Sequence, residues 1–442
     1  MVTQAQMAPD SIYRSTEGLG VWEHRGKVAA VGVGVSPTAR RWDETADTSV
    51  GAWTILAIRR AIEDAGVTPD QVDGLVLTPE TSTGSPWPAD KPIPQDFLDT
   101  YESTDDPMDG IAKLSSDWIL KNMPELTNVK FVMYAPICMS NALVVAAQAV
   151  GDGMTNTCLV VRGWHNFGGR YYVGQGDAAG NTIAGPGKWQ GLWGTVACYT
   201  TAMIFEAYCR KYGKSHDMMA KFVVEEKRNG LLFPEGFWAQ HRPEPLSVED
   251  YLAARWIAKP ANLFDNDLPI CVSAAFVFTT AERAKDMKQK PVYILNHNRT
   301  LPAARSVVPT LEEWQDAADF TGRKLYEGAG IGPSDLSFEN MYDGFTLFHQ
   351  FHLEGLRFAG VQRGEALDFY QTDISIEGPN PASPSGGNAG AGRTRFWLHI
   401  DSVQQLQGRA GARQIRKPAE IGISGAFMPD FSYSVVWSAN PD

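Results

Sequence analysis

Residues 65–73 (AGVTPDQVD) and 329–337 (AGIGPSDLS), far apart in the chain, carry the same signals in the same order: a glycine closing a helix, a proline turn with an acidic residue, and the start of a strand. Glycine adopts the left-handed conformation that ends a helix at no steric cost, and proline cannot continue one, so each stretch reads as a helix-to-strand corner. A repeated corner favours a chain built from two related α/β halves. The flanking patterns agree. Residues 27–35 (KVAAVGVGV) read as a strand, and residues 49–65 place Trp53, Leu56, Ala57 and Ile62 at helix-like spacing. Further strands are expected at 71–77, 128–135 and 157–162, with a helix at 141–151. The rhythm resumes with strands at 271–279 and 291–298, a helix at 311–326 and a strand at 336–342. Strands alternating with helices imply a mostly parallel sheet covered on both faces.

Residues 163–268 interrupt this rhythm with Trp- and Gly-rich sequence (GWHNFGG, GPGKWQGLWG), then helical segments at 202–212 and 248–257. They read as a large insertion in the first copy. The expected organisation is an N-terminal extension (1–26), a first half (27–290, including the insertion) and a second half (291–442). Trp164, Tyr171, Tyr172, Trp189 and Trp193 suit an apolar ligand surface, a protein interface or a small core of the insertion's own.

Composition narrows the function. With 43% apolar and 20% charged residues, the 442-residue chain is of ordinary globular type. Its 39 basic against 51 acidic residues, net −12, argue against a nucleic-acid or anionic-membrane partner. The apolar stretch 142–150 is far shorter than the roughly 20 residues of a spanning helix. The N-terminal residues, with Pro9, Asp10 and Glu17, lack the apolar core of a signal peptide. Five cysteines without a CxxC pair suggest neither disulfides nor structural zinc, so the cytoplasm is the expected compartment. No GKS/GKT motif occurs and no GxGxxG joins a strand to a helix, so neither ATP nor nicotinamide is expected. His349 and His352 share a helix face but lack a third metal ligand, and no metal or tightly bound cofactor is expected.

The segments NALVVAAQAVGDG, DLPICVSAAFVFTTAERAKD, LSFENMYDGF and SGGNAGAGRTR together resemble the thiolase superfamily, and in particular its sterol-carrier-protein thiolase branch, over about residues 27–437. The resemblance implies a duplicated five-layer α-β-α-β-α fold, a tight homodimer and CoA thioesters as substrates. That branch includes steroid side-chain aldolases that pair with a separate OB-fold, zinc-ribbon chain, which implies a heterotetramer. Carried over residue by residue, the family's nucleophilic cysteine falls on Pro136, two residues before Cys138. Cys138 is then either a shifted nucleophile or a buried, inert thiol. The family's Cys-Gly-Gly corresponds to residues 423–427 (ISGAF), without a thiol. Its two histidine positions correspond to Tyr342, in YDGF, and Arg393. Tyrosine at the first matches the aldolases; arginine at the second departs from them.

Thiolysis needs a covalent acyl-enzyme, whereas retro-aldol cleavage of a β-hydroxyacyl-CoA needs a base, donors for the enolate and an acid. Losing both family thiols therefore favours a lyase that cleaves a bulky β-hydroxyacyl-CoA, such as a steroid side chain, with CoA present only as part of substrate or product. Tyr342 is the candidate acid/base; Arg393 is the candidate cation beside it, or a ligand for the enolate or a substrate carboxylate. The plainer alternative packs Tyr342 in the core and pairs Arg393 with Asp343. The amides of Gly386, Gly387, Gly390 and Gly392 are candidates to approach the thioester, and His399, His165 and His297 are minor acid/base candidates. A thiolase or acyltransferase using Cys138, and a non-catalytic acyl-CoA- or lipid-binding subunit, are the competing functions.

Overall fold

The computed structural model describes residues 20–79, 81, 87, 90–136, 138–167, 197–300, 309–429 and 432–442. The first half runs β1 (Val28–Val35), α1 (Val50–Ala65), β2 (Gly74–Thr78), β3 (Phe131–Tyr134), α2 (Met139–Gly151) and β4 (Thr157–Trp164). Then come α3 (Ala197–Tyr212), α4 (Ala220–Leu231), a small hairpin of β5 (Trp256–Ala258) and β6 (Ala261–Asn262), and β7 (Val272–Thr280). The second half contains β8 (Val292–Thr300), α5 (Leu311–Ala329), β9 (Phe338–Met341), α6 (His349–Leu356), α7 (Gly387–Ala391), α8 (Trp397–Gln407), β10 (Ile421–Phe427) and β11 (Ser432–Ser438).

The large sheet has the order β3-β2-β4-β7-β1-β8-β11-β10-β9. Read outward from the β1–β8 join, its two sides mirror each other. Over four strands each side has the same pattern, with β2 parallel to β4 and β9 parallel to β10, while β7 and β11 run antiparallel to both of their neighbours; the first side adds β3, parallel to β2, at its edge. The sheet is thus mixed rather than mostly parallel. β10 and β11 are almost contiguous in sequence, and strands so joined pair antiparallel, because a parallel pair needs a long crossover.

The repeated corner takes the same form twice. α1 ends at Gly66 (φ 72°) and α5 at Gly330 (φ 66°), and each is followed by a single 3-10 turn, Pro69–Gln71 or Pro333–Asp335. Strand alternation then sorts side chains into cores. Ala29, Val31, Leu75, Leu77, Leu159 and Val161 face α1, while Val28, Ala30, Val76, Cys158 and Val160 face inward toward α2 and α8. α2 packs on β2, β4 and β7 and also on β8 and β11. Eleven of its thirteen residues are buried, as expected of a helix that is apolar all round because sheet covers both its sides. α8 lies beside it against β9, β10 and β11, and α5 covers the outer side of the second half. Five layers result, with α2 and α8 in the middle.

Between β4 and β7 the chain departs for residues 165–271, and α4 packs on α7 of the other half. Tyr171, Tyr172, Trp189 and Trp193 lie outside the described residues. The helix expected over 248–257 stops at Ala253, because Ala254 is extended and β5 begins at Trp256. Residues 20–26 tie down the chain start: the Trp22 amide donates to Gly328 O and the Gly26 amide to Ile294 O.

Candidate active site

Cys138 is the N-cap of α2 (φ −159°, ψ 164°). The helix therefore begins earlier than its sequence pattern suggests, at Met139, with Asn141 Nδ2 reaching back to Pro136 O at 2.8 Å. Cys138, not Pro136, stands at the helix N-terminus. Only 3% exposed, it lines a small cavity with Ser140, Tyr342, Arg395, Gly425 and Tyr433.

Tyr342 enters this cavity from the end of β9, its amide donating to Gly425 O at 2.8 Å. Its ring folds back over Gly344, where a Cβ would sit 2.1 Å from the phenolic oxygen. Asp343 turns the other way and accepts from the amides of Asn388 and Ala389, both at 2.7 Å, and from Asn388 Nδ2 at 3.0 Å. Three consecutive residues of YDGF thus supply a phenol to the cavity, an anchor for α7, and the space for the phenol.

That anchor changes the reading of the glycine loop. The Gly386 amide donates to Ser383 O, Gly387 to Ser385 Oγ, Gly390 to Gly386 O and Gly392 to Asn388 O. All four glycines are buried, so their amides serve the loop itself rather than a thioester. Gly387 has φ +56°, and a Cβ there would lie 2.3 Å from Asp343 Cγ. Gly387→Ala is therefore expected to destabilise the fold by about 2–4 kcal/mol, combining left-handed strain with overpacking; chemical denaturation measures it.

Arg393 does not pair with Asp343, nor is it the cation over Tyr342. Its Nε lies 3.7 Å from Asp267 Oδ2 and its guanidinium 5.8 Å from the Trp164 ring centre. Arg395 takes the expected place, its guanidinium 5.4 Å from the centre of the Tyr342 ring. The cause is local: Asn388 Oδ1 accepts from the amides of both Thr394 and Arg395, and Arg395 adopts φ 62°, which re-aims the chain by one alternation. Tyr433, on β11, is a second phenol in the cavity. Burial pushes its pKa up, with the thiol of Cys138 adding to the shift.

The histidines take supporting places. His399 is fully buried, between Ser140 Oγ (2.7 Å) and Ser424 Oγ (2.6 Å), and burial lowers its pKa to about 3. It backs the cavity rather than contacting a substrate. His165 sits in an aromatic nest, 4.4 Å from Phe167 and 5.6 Å from Trp42 between ring centres, likewise lowered to about 3 by burial. His349 bonds Tyr370 and Glu339, and His352 meets the Phe427 amide. His297 packs on Trp22.

A larger cleft of about 940 Å³ opens between the insertion and α7. Arg40, Lys227, Arg242 and Arg255 contribute to its wall, together with Trp238, Leu246 and Phe264. Lys227 lies 3.6 Å over the Trp238 ring, and burial lowers its pKa to about 7. Asp267, fully buried, also lines this cleft. Sequence reasoning had missed Arg395, Tyr433, Ser140, Ser424 and Asp267. For Ser424 a signal existed, since it stands in ISGAF where the family has its second thiol.

A duplicated five-layer fold with a cavity at the N-terminus of its central helix, facing β9 and β10, is a thiolase-type fold. Comparison with known proteins agrees. Residues 305–428 match the thiolase C-terminal domain-like family. A 17-hydroxy-3-oxo-4-pregnene-20-carboxyl-CoA lyase of Mycobacterium tuberculosis is 26% identical over 420 residues, covering 90% of this chain and 97% of its own. A steroid side-chain-cleaving aldolase of Thermomonospora curvata is 26% identical over 348 residues, covering 76% and 79%. Among solved structures, the Ltp2-ChsH2(DUF35) aldolase has a TM-score of 0.74 at 21% identity, covering 94% of this chain and 98% of its own. In sequence and in fold the chain is thus similar to proteins of the thiolase superfamily.

Proposed function

We propose that the chain is a CoA-thioester carbon–carbon lyase that cleaves a bulky β-hydroxyacyl-CoA, of the steroid side-chain class, into a ketone or aldehyde and a shorter acyl-CoA. The carrying observation is the shared cavity of two phenols, Tyr342 beneath the Arg395 guanidinium and Tyr433, at the N-terminus of α2. Tyr342, as the phenolate that this positive charge favours, takes the β-hydroxyl proton. The Cα–Cβ bond breaks, the β-carbon leaves as a carbonyl, and the electron pair passes into the thioester enolate. Tyr433, kept protonated by burial, returns a proton to Cα. The positive end of the α2 dipole favours the enolate charge. Atoms balance without free CoA and without a redox change, so no tightly bound cofactor or metal takes part in this scheme.

The larger cleft fits the rest of the ligand. Its four cations and Trp238 suit the phosphates and adenine of CoA, and Leu246, Ile257 and Phe264 suit apolar parts. In the names of the similar proteins, the lyase acts on a pregnene carboxyl-CoA and the aldolase on a steroid side chain, which supports the substrate class. The similar solved aldolase carries a second named component, ChsH2(DUF35), in keeping with a separate OB-fold, zinc-ribbon partner here. A homodimer is supported by β3, an edge strand with Met133 and Tyr134 exposed at 43% and 47%, since unpaired strand edges are templates for association. Among the described residues no helix is long and apolar enough to cross a membrane, in keeping with a cytoplasmic enzyme.

One observation favours a second reading: Cys138 stands at the N-cap of α2 in the same cavity, the position from which a thiolate would attack a β-ketoacyl-CoA. Incubating the chain, with and without a co-expressed partner, with bulky β-hydroxyacyl-CoA and β-ketoacyl-CoA esters separates the two. Release of a carbonyl compound and a shorter acyl-CoA without free CoA is the expected result. Reaction of the β-keto esters alone, dependent on free CoA and with an acyl adduct on Cys138 by mass spectrometry, would replace the lyase by a thiolase.

A further inference from the structure

Trp437 Nε1, which can only donate, lies 2.6 Å from Ser424 Oγ. Ser424 Oγ is 2.6 Å from His399 Nδ1, and His399 Nε2 is 2.7 Å from Ser140 Oγ. All four residues are buried where β10, β11, α8 and α2 meet. The proton directions follow in sequence. Ser424 accepts from Trp437, and among the described residues the acceptor for its own hydroxyl proton is His399 Nδ1. Nδ1 is therefore bare, Nε2 carries the proton, and Nε2–H donates to Ser140. Among the described residues the Ser140 hydroxyl makes no hydrogen bond to Pro136 O, the carbonyl four residues back to which a helical serine can turn its proton; that oxygen receives Asn141 Nδ2 instead. The Ser140 hydroxyl proton is left for the cavity that Ser140 lines beside Cys138 and Tyr342. Burial holds the imidazole neutral, so a second ring proton does not reverse the chain near neutral pH. Donors pointing one way polarise one another, and this chain ends at the second residue of α2, where the helix dipole adds positive charge.

We propose that Ser140 is an oxyanion donor, its hydroxyl binding the thioester oxygen as enolate charge develops there, and that Trp437, Ser424 and His399 are positioning residues that hold its proton toward the cavity. The substrate class rests on the lyase reading above. The test compares the parent chain with Ser140→Ala, Ser140→Thr, His399→Phe and His399→Gln in two reactions: cleavage of the bulky β-hydroxyacyl-CoA, and exchange of the α-hydrogens of acetyl-CoA in deuterium oxide.

Ser140→Ala and His399→Phe are expected to lower kcat in both reactions by about 10²-fold, the usual cost of one oxyanion donor, with KM little changed. Ser140→Thr and His399→Gln, which keep a hydroxyl and an amide donor, retain most of the rate. Nitrogen-15 NMR of His399 in the parent is expected to show Nε2 protonated and Nδ1 bare. Exchange at the parental rate in a folded Ser140→Ala chain would overturn the assignment, and so would a His399 protonated on Nδ1. A parent chain that exchanges acetyl-CoA hydrogens through Ser140 but cleaves no β-hydroxy ester would refute the lyase reading and leave the donor standing.

Discussion

Replacing Tyr342 by phenylalanine is expected to lower retro-aldol turnover by about 10²–10⁴-fold, the range that a positioned proton-transfer group contributes, while the melting temperature stays close to that of the parent. The phenylalanine ring keeps the packing over Gly344 and against the Arg395 guanidinium, and removes only the oxygen that a Gly344 Cβ would approach at 2.1 Å. Arg395→Met should also lose turnover, because it removes positive charge from above the ring. Arg393→Met should instead act mainly on KM, since Arg393 faces Asp267 at the larger cleft. Steady-state kinetics beside thermal melts of the three variants decide this. Unchanged turnover in a folded Tyr342→Phe chain, or a larger kcat loss in Arg393→Met than in Arg395→Met, would remove the assignment.

The contrast between Arg393 and Arg395 marks where the sequence stops being legible. Features governed by local periodicity were readable: the two helix-to-strand corners at Gly66 and Gly330, the strands around Val31 and Val277, and the helix through Trp314 and Leu325. YDGF stood out only through its resemblance to the family motif, since no periodicity of its own marks it. What was not readable depends on a single backbone turn or on strands meeting at a distance. One left-handed residue, Arg395, exchanges which of two arginines reaches Tyr342, and no spacing rule anticipates it. An N-cap two residues earlier than the apolar pattern brought Cys138 and Ser140 to the cavity. Tyr433 carried an unused signal: it shares a strand face with Val435 and Trp437, and those two point at the central helices. The glycines were misread because their identity reflects close packing on α4 and Asp343, as Gly386 against Gly230 and Gly387 against Asp343 demonstrate.

Asp267→Asn is expected to stabilise the protein, and to do so more at pH 8 than at pH 5. Burial pushes the Asp267 carboxyl up to about 7; Asp343 adds to the shift, while Arg393 and Arg395 oppose it without cancelling it. The unfolded chain ionises this group near the ordinary value of 3.8. Between those two values the folded state holds a proton that the unfolded state has released. Stability from this group is therefore fully present below the unfolded value, falls as pH rises through the window, and levels off above about pH 7 with the carboxylate buried. An amide mimics the protonated acid at every pH and escapes that penalty. Integrating the linkage over the part of this window above pH 5, about two units, the gain at pH 8 should exceed the gain at pH 5 by about 3 kcal/mol. Urea denaturation of both chains at the two pH values measures the difference. A gain independent of pH would mean that Asp267 ionises normally in the folded protein. Arg393, 3.7 Å away, would then fully offset the cost of burial, and the carboxylate would stand as the fixed counter-charge of the cleft.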